Sequence, residues 1–321
     1  MPEKEVVIGI DIGGTNTCFG FVDRQGNLIY ECSIPTYAKE KAELLFERLF
    51  TKIEEDYKIY SSQNYLAGIG IGAPNANYYH GTIEQPPNLN WGTVNVLEII
   101  KKYSKLPAVI TNDANAAALG EMLFGAAKGM KDFIEITLGT GLGSGIVANG
   151  ELVYGHDGFA GELGHTIVDL NGRECGCGRK GCLETYASAS GIRKTVIEML
   201  DSTDIPSKLR EIPANHLTAK DIADAAKSND KLAIDAFEFT ARILGFKLAD
   251  TVVHLSPEAI ILFGGLALAG DLIIKPTKYY MEEYMFNIFK NKVKIIPSAL
   301  PGGSAAVLGA AALIWNELKK I

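Results

Sequence analysis

The sequence lacks an apolar run long enough to cross a membrane. Its longest such run, residues 259–270, falls well short of the roughly 18–20 residues that a transmembrane helix needs. The chain begins with the polar residues MPEKE, and the apolar stretch that follows at residues 6–10 is too short for the core of a secretory signal. These absences, together with the reduced cysteines discussed below, predict a cytoplasmic protein with no membrane partner.

An excess of positive charge is also missing. The 321 residues include 31 Lys and Arg against 38 Asp and Glu, which gives a net charge of −7. Nucleic-acid-binding surfaces normally carry a basic patch, so we predict no nucleic-acid partner. The chain also shows no low-complexity segment and no solenoid repeat. With 47% hydrophobic and 21% charged residues, it has the composition of a globular protein with room for two domains.

Cysteine is scarce, but three of the five cysteines fall within residues 162–184. His165, Cys175, Cys177 and Cys182 form the Cys₃His set of a tetrahedral zinc site, in a glycine-rich segment that can curl around one ion. Three thiolates leave little room for a metal-bound water, so the predicted Zn²⁺ is structural. The alternative is a disulfide or unrelated buried thiols. A bridge between Cys175 and Cys177 would be strained, and an odd number of cysteines does not suit an oxidised framework.

Two carboxylates, Glu162 and Glu184, bracket the cysteine segment. A metal loop that fixes both would form a rigid polar edge able to accept hydrogen bonds from ligand hydroxyl groups. His165 could bind the metal through one ring nitrogen while its other N–H donates to a ligand oxygen. The alternative interpretation is a pair of solvated glutamates on a metal knuckle.

A glycine-rich turn follows the first apolar run, residues 6–11, and leads into a second apolar run. This pattern predicts a hairpin rather than the strand-to-helix turn of a P-loop. Backbone amides and threonine hydroxyls in such a turn can bind phosphate, and Asp11 at its mouth could hold Mg²⁺ through water. A turn without a ligand is the alternative. The predicted nucleotide-binding residues here are Asp11, Gly13, Gly14, Thr15, Asn16 and Thr17.

Residues 133–153 repeat the plan of residues 6–33: an apolar strand, a Gly/Thr turn, and two further strands. The glycines of this second turn resemble a dinucleotide-binding motif, but no helix follows them, so we reject NAD binding. Two Gly/Thr turns could instead hold a triphosphate. A third glycine turn follows the strand at 259–263, and residues 276–287 are predicted to form a helix. The predicted nucleotide-binding residues in these turns are Thr137, Gly139, Thr140, Gly141, Gly264 and Gly265.

The motif Glu162-x-x-His165 followed by Cys175-x-Cys177-Gly178-x-x-Gly181-Cys182-x-Glu184 resembles the signature of the ROK family of bacterial sugar kinases and repressors. The resemblance implies two actin-like (ribonuclease-H-like) α/β domains with an active-site cleft between them. The expected domains are residues 1–115 with a closing helix at 305–321, and residues 116–304 with the zinc loop. A homodimer is also implied.

For activity, the resemblance implies ATP-dependent phosphorylation of a hexose hydroxyl, with Mg²⁺ as the ion that accompanies ATP. Glucose, converted to glucose 6-phosphate, is the preferred substrate, and N-acetylmannosamine and N-acetylglucosamine are alternatives. By the same resemblance, Asp113 is the general base, and the turn at Gly264 and Gly265 lies near the adenosine. The residues implied to hold the sugar are Asn88, Asn112, Asp113, Glu162, His165 and Glu184.

A sugar-binding sensor is the main alternative from another functional class, because ROK repressors share the sugar site. Those repressors carry a DNA-binding domain ahead of the first glycine-turn strand. Here that strand begins at Val6, and Asp113 is present, so we expect a kinase. An actin-like chaperone or filament ATPase would not explain the metal loop and its two glutamates.

Overall fold

The computed structural model describes residues 4–320, so residues 1–3 of the polar start and residue 321 lie outside the described part. Within residues 4–320 the chain forms thirteen strands and eight α-helices. The strands are β1 (Lys4–Ile12), β2 (Asn16–Asp23), β3 (Leu28–Pro35), β4 (Asn64–Gly72), β5 (Ala76–Asn77), β6 (Thr82–Glu84), β7 (Thr93–Asn95), β8 (Ala108–Thr111), β9 (Phe133–Leu138), β10 (Leu142–Ala148), β11 (Glu151–Leu152), β12 (Ala259–Phe263) and β13 (Lys294–Pro297). The helices are α1 (Ala42–Tyr60), α2 (Val96–Ile100), α3 (Asp113–Leu123), α4 (Ala189–Ser202), α5 (Ala219–Lys227), α6 (Lys231–Leu255), α7 (Asp271–Tyr284) and α8 (Ala305–Leu318). In this part of the chain no helix combines the length and the apolar character needed to span a bilayer.

The chain divides into two compact units, and the first comprises Met1–Gly129, Leu152–Ala160 and Ala299–Ile321. Its main sheet has the order β3-β2-β1-β4-β8. Strand β2 is antiparallel to its neighbours β1 and β3. On the other side of β1, strand β4 is parallel to both β1 and β8. Parallel strands buried on both faces have continuous apolar sequences, and this explains the uninterrupted run in β1.

Helices cover both faces of this first sheet. Ile8 and Ile10 of β1 point into the core shared with α1. On the other face, α8 lies so close to β1 and β4 that a Cβ at Gly70 would come within 1.8 Å of the Ala310 carbonyl oxygen. Glycine at this position therefore lets the helix backbone rest directly on the sheet.

The first unit also contains a small antiparallel sheet of β5, β6 and β7. The sequence does not predict this sheet, because its strands are only two or three residues long and are too short to show the alternation of apolar and polar residues typical of a strand.

The second unit comprises Met130–Glu151 and Gly161–Ser298. Its sheet has the order β11-β10-β9-β12-β13, with β9 antiparallel to β10 and parallel to β12. This order and these directions repeat those of the first unit, so the predicted duplication and the α/β fold class of two actin-like units are confirmed. The domain boundaries given above stay a prediction.

The helix predicted at residues 276–287 in fact begins at Asp271 and ends at Tyr284, so this prediction was wrong at both ends. Pro276, the first residue of the predicted range, lies inside the helix, where its missing N–H removes one backbone hydrogen bond. Packing compensates for that loss, since Ile273 and Met281 are fully buried in the core of the unit.

Candidate functional site

Two aspartates meet where the parallel strands of the first unit end. Asp11 in β1 pairs with Gly72 in β4, which pairs with Thr111 in β8. Asp113 is the first residue of α3, two positions beyond Thr111. A Cβ at Gly72 would lie 3.9 Å from Asp11 Oδ1 and 3.8 Å from Asp113 Cα, so Gly72 lies between the aspartates. Open α/β sheets place their ligands at these carboxyl ends.

Helix α3 holds this arrangement in place through its N-cap. The Asn112 side chain accepts a hydrogen bond from Asn115 N at 2.7 Å and so caps the helix. Asp113 Oδ1 accepts a hydrogen bond from Ala114 N at 2.9 Å. The cap therefore fixes the backbone of Asp113, the residue that directly follows it.

The two aspartates both have raised pKa values. Burial and the neighbouring charge of Asp113 together raise the pKa of Asp11 to about 7. Asp11 is half-buried and Asp113 is exposed, although many protein atoms lie near the Asp113 carboxylate. The resulting loss of hydration raises the pKa of Asp113, and the hydrogen bond from Ala114 acts in the opposite direction. Such an environment favours either protonation of these carboxyl groups or binding of a cation beside them.

We expect Asp11→Asn to stabilise the protein at pH 8 more than at pH 5. The folded-state pKa of Asp11 is above its unfolded value, so the fold loses stability as pH rises from about 4 to about 7 and stays at the lower value above. The asparagine side chain does not ionise, so the variant does not lose this stability. Its free energy of unfolding should exceed that of wild type at pH 8 by a few kcal/mol at most, since one pKa unit is worth about 1.4 kcal/mol.

Calorimetric unfolding of wild type and variant at both pH values measures this difference. Asp157→Asn, at an exposed aspartate of the same unit, is the control. An equal gain at pH 5 and pH 8 would show that the Asp11 charge is not the cause.

The glycine turn between β1 and β2 is supported from inside. Thr17 is fully buried, and its hydroxyl lies 2.9 Å from the Thr36 hydroxyl, which donates to the Gly13 carbonyl at 2.7 Å. Among the predicted phosphate-binding residues, Thr15 and Asn16 are exposed. Thr17 thus shapes the turn, while its two exposed neighbours face solvent.

Asn88, which the family resemblance placed at the sugar, lies beside this turn. A Cβ added at Gly14 would come within 2.9 Å of Asn88 Cβ. The loop that carries Asn88 is held by Trp91, whose indole N–H donates to the Glu40 carbonyl at 2.9 Å. The first phosphate turn and a predicted sugar residue are therefore neighbours in one unit.

The second glycine turn joins β9 to β10 in the other unit. Thr137 donates its hydroxyl hydrogen bond to Glu135 Oε1 at 2.8 Å, whereas Thr140 is exposed. The Gly139 carbonyl accepts a hydrogen bond from Ala189 N at the start of α4. These contacts anchor the turn to the strand before it and to the helix beside it.

The third glycine turn packs on the second. Gly264 has a positive φ of 94°, and a Cβ there would lie 2.7 Å from the Leu138 carbonyl oxygen. That oxygen accepts a hydrogen bond from Leu266 N at 3.1 Å. Gly265 next to it is exposed. The structure thus brings together the two turns of this unit that the sequence assigned to the nucleotide.

The four predicted metal ligands converge. The Cys175 Sγ lies 3.6 Å from His165 Nδ1, and the Cys177 and Cys182 Sγ atoms are also 3.6 Å apart. All four ligand atoms lie within 4.8 Å of one another. Ligands about 2.0–2.3 Å from a tetrahedral ion are separated by roughly 3.3–3.8 Å, so this donor set fits Zn²⁺.

The backbone around the cluster explains this convergence. Cys175 N donates to the Arg179 carbonyl at 2.9 Å, and Gly178 N donates to the Cys175 carbonyl at 3.0 Å. This tight turn brings Cys177 back toward Cys182, while a short 3₁₀ helix, Leu163–His165, presents the histidine. The three cysteines are free thiols, so the disulfide alternative is not what the structure shows.

The two glutamates flank the histidine on opposite sides. Glu184 Oε1 lies 3.6 Å from His165 Nδ1 and 2.9 Å from Cys175 Sγ. Glu162 Oε2 lies 4.0 Å from His165 Nε2. The histidine therefore turns Nδ1 toward Cys175 and Glu184 and Nε2 toward Glu162, and the donation of its second N–H to a ligand oxygen stays a prediction.

The second glycine turn closely approaches Glu184, one of the two carboxylates predicted to bind the sugar. A Cβ at Gly141 would lie 2.6 Å from Glu184 Oε2, so only glycine leaves room for this carboxylate. Sequence reasoning missed this contact, and it also missed Gly72 and Thr36. Both glycines are recognisable in the sequence, Gly72 at a strand end and Gly141 in a turn. Their partners lie roughly 40 to 60 positions away in the chain, so only the topology identifies them.

The chain was compared with known proteins. The family model described as ROK family matches residues 7–317. A relative named glucokinase from Halalkalibacterium halodurans is 36% identical over 314 residues, which cover 97% of this chain and 95% of the relative.

Solved structures of both ROK classes resemble this chain. A ROK family glucokinase from Streptomyces griseus, in complex with glucose and AMPPNP, has a TM-score of 0.80 and 32% identity, covering 96% of this chain and 98% of that one. A ROK family transcriptional regulator, described as a homologue of the E. coli MLC protein, has a TM-score of 0.88 and 28% identity, covering 98% of this chain and 78% of that one.

Proposed function

Because the chain belongs to the ROK family, we propose that it is an ATP-dependent sugar kinase that converts glucose to glucose 6-phosphate. The observation that carries this proposal is the 36% identity, over 97% of the chain, to a relative named glucokinase. Asp113 at the end of a parallel strand and the contact between Gly141 and Glu184 support it from geometry.

Asp113 acts as the general base. As the sugar hydroxyl oxygen attacks the γ-phosphorus of ATP, its proton passes to the Asp113 carboxylate, and the bond from phosphorus to the β–γ bridging oxygen breaks to release ADP. The raised pKa of Asp113 makes it a stronger base than an ordinary aspartate. The residues proposed to hold the other hydroxyls are Asn88, Asn112, Glu162, His165 and Glu184.

The glycine turns bind the nucleotide. Backbone amides of the β1–β2 and β9–β10 turns, with the exposed Thr15, Asn16 and Thr140, donate to phosphate oxygens. Asp11 would hold Mg²⁺ through water, and the ion would offset the unfavourable burial of its charge. The ion neutralises charge on the phosphates when it is bound.

His165, Cys175, Cys177 and Cys182 hold a structural Zn²⁺. The ion supplies no chemistry to the transfer; it orders the loop that carries the sugar-binding carboxylates. A cytoplasmic location remains part of this proposal.

A homodimer is the proposed assembly. Aromatic side chains on α6 and α7 form a group: the ring centres of the exposed Phe246 and Tyr284 lie 5.5 Å apart, and the half-buried Tyr280 ring lies 6.4 Å from that of Tyr284. Phe286 just beyond α7 is also exposed. Apolar groups of this kind are typical of surfaces between subunits. Sedimentation analysis tests the assembly, and a monomer at micromolar concentration would contradict it.

N-acetylmannosamine and N-acetylglucosamine are the alternative substrates, and a sugar sensor without catalysis is the alternative function. The sensor is retained as an alternative because a ROK transcriptional regulator has a similar structure. A coupled assay of ADP release with Mg-ATP against a panel of hexoses and N-acetylhexosamines separates them. Turnover on glucose above the other sugars is expected. Sugar binding by calorimetry without ADP release would identify the sensor.

Gly141→Ala is expected to raise the KM for glucose by about 10- to 100-fold, because misplacing a binding group by about 1 Å can cost that much. The added Cβ meets only the end of the Glu184 side chain, so the carboxylate moves while the fold remains. Steady-state kinetics with glucose varied at saturating ATP measures this.

Gly302→Ala, at an exposed glycine outside this turn, is the control. A Cβ at Gly302 would meet no atom within 4 Å, and we expect the glucose KM to stay within about twofold of wild type. Equal glucose KM values for the two variants would contradict the role given to the contact between Gly141 and Glu184.

A further inference from the structure

Arg173 lies at the start of the cysteine loop, and its side chain is only 7% exposed. Its guanidinium forms a two-point ion pair with Glu198 and donates to Thr195 Oγ1 at 2.9 Å, both in α4. It also lies over the Tyr186 ring, 4.5 Å from the ring centre. A buried guanidinium with so many partners is held in a single position.

Two further hydrogen bonds of Arg173 go to Thr185 and Tyr186, the residues that follow Glu184. Its Nη1 donates to the Thr185 carbonyl at 2.7 Å and to the Gly191 carbonyl at 3.2 Å. Its backbone N–H donates to the Tyr186 hydroxyl at 3.0 Å. Thr185 and Tyr186 directly follow Glu184, so Arg173 fixes the segment just after this carboxylate.

Arg173 is also connected to the cysteine loop that contacts the Glu184 carboxylate. Arg173 lies two positions before Cys175, whose Sγ is 2.9 Å from Glu184 Oε1. Arg173 also accepts the Gly181 N–H at its carbonyl, at 2.8 Å, just before Cys182. One side chain and its own peptide groups thus connect the loop, the Glu184 segment and α4.

We propose that Arg173 is a positioning residue for the sugar: it fixes the Glu184 carboxylate in the place where it receives hydrogen bonds from hexose hydroxyls. This inference rests on the proposed function. Arg173 touches neither the nucleotide turns nor Asp113 in any contact described above. Its loss therefore acts on glucose binding, while ATP binding and the chemical step are retained.

Lysine cannot replace this side chain. Its single ammonium has no planar fork to reach Glu198, Thr195 and the Thr185 carbonyl together. We expect Arg173→Ala and Arg173→Lys both to raise the KM and the calorimetric Kd for glucose by about 10- to 100-fold. The KM for ATP and the kcat should change by less than about threefold, and zinc measured by atomic absorption should stay at the wild-type amount. Added guanidinium ion should partly restore glucose affinity in Arg173→Ala.

Arg193→Ala is the matched control, because this arginine also lies in α4 but donates to the Ala214 carbonyl, outside the loop. It is expected to bind glucose like wild type. If Arg173→Ala does not fold, Arg173→Lys carries the test.

A wild-type glucose KM in Arg173→Lys would overturn the proposal. So would an equal rise in the KM for ATP, or a loss of zinc that accompanies the weaker binding, since either would mean a general structural role. A wild type that neither binds nor phosphorylates glucose would instead refute the proposed function, which keeps the two failures distinct.

Discussion

Asp113→Asn is expected to lower the kcat for glucose by about 10²- to 10⁴-fold, the range that general-base catalysis contributes. The amide keeps the size of the side chain and can still accept the hydrogen bond from Ala114 N. It cannot take a proton from the sugar hydroxyl. Glucose affinity measured by calorimetry should therefore stay within a few-fold of wild type while turnover is lost.

Asp271→Asn is the control for this substitution, because Asp271 is an exposed aspartate at the start of α7 with a surface ion pair to Lys275. Its kcat is expected to equal that of wild type. Removing the Asp113 charge should also lower the pKa of Asp11, since that charge contributes to raising it. An Asp113→Asn enzyme with near wild-type turnover would refute the role of Asp113 as base.

Cys177→Ser is expected to reduce bound zinc, thermal stability and glucose affinity together. Serine is a poor zinc ligand, and structural zinc contributes directly to folding. Cys177 is exposed, so the substitution removes little packing and its effect must come through the metal. Because Glu184 contacts Cys175 within the same loop, a loosened loop should weaken glucose binding by about 10- to 100-fold.

Atomic absorption, calorimetric unfolding and glucose titration on one preparation measure the three effects. Cys32→Ser is the control, because Cys32 is a half-buried thiol of β3 outside the cluster. It should leave the zinc content and the glucose affinity at wild-type values. Unchanged glucose affinity in a zinc-depleted Cys177→Ser protein would show that the loop does not shape the sugar site.

Several features of the fold could be predicted because they are encoded locally. The continuous apolar runs of β1 and β9, each followed by a glycine turn and a further strand, predicted the duplicated hairpins. The helix predicted at 276–287 starts later than α7 does, because α7 begins at Asp271 and buries Ile273 in the core, a contact that local sequence does not reveal. The short strands β5, β6 and β7 carry too few residues to show any period.

The candidate site divides in the same way. The metal ligands were visible because four donors of the right kind occur within 23 residues, and the structure brings all four together. The roles of Asp113 and of the sugar-binding residues came from family resemblance, and they remain proposals. Thr17 was predicted to bind the nucleotide because it lies in the glycine-turn motif. In the structure its hydroxyl is buried and contacts the Thr36 hydroxyl, so it stabilises the turn, and the motif alone does not reveal this.

By itself, the sequence determined the paired glycine hairpins and the four candidate metal ligands, because each depends on residue type and spacing within a short stretch. The α/β fold class followed from the family resemblance of its motifs. Only the tertiary structure decided that Gly72 lies between Asp11 and Asp113, that Gly141 makes room for Glu184, and that Arg173 reaches α4. These contacts join residues that are roughly 20 to 60 positions apart. They depend on which strands become neighbours and on how closely backbones approach, and no local pattern in the chain records either.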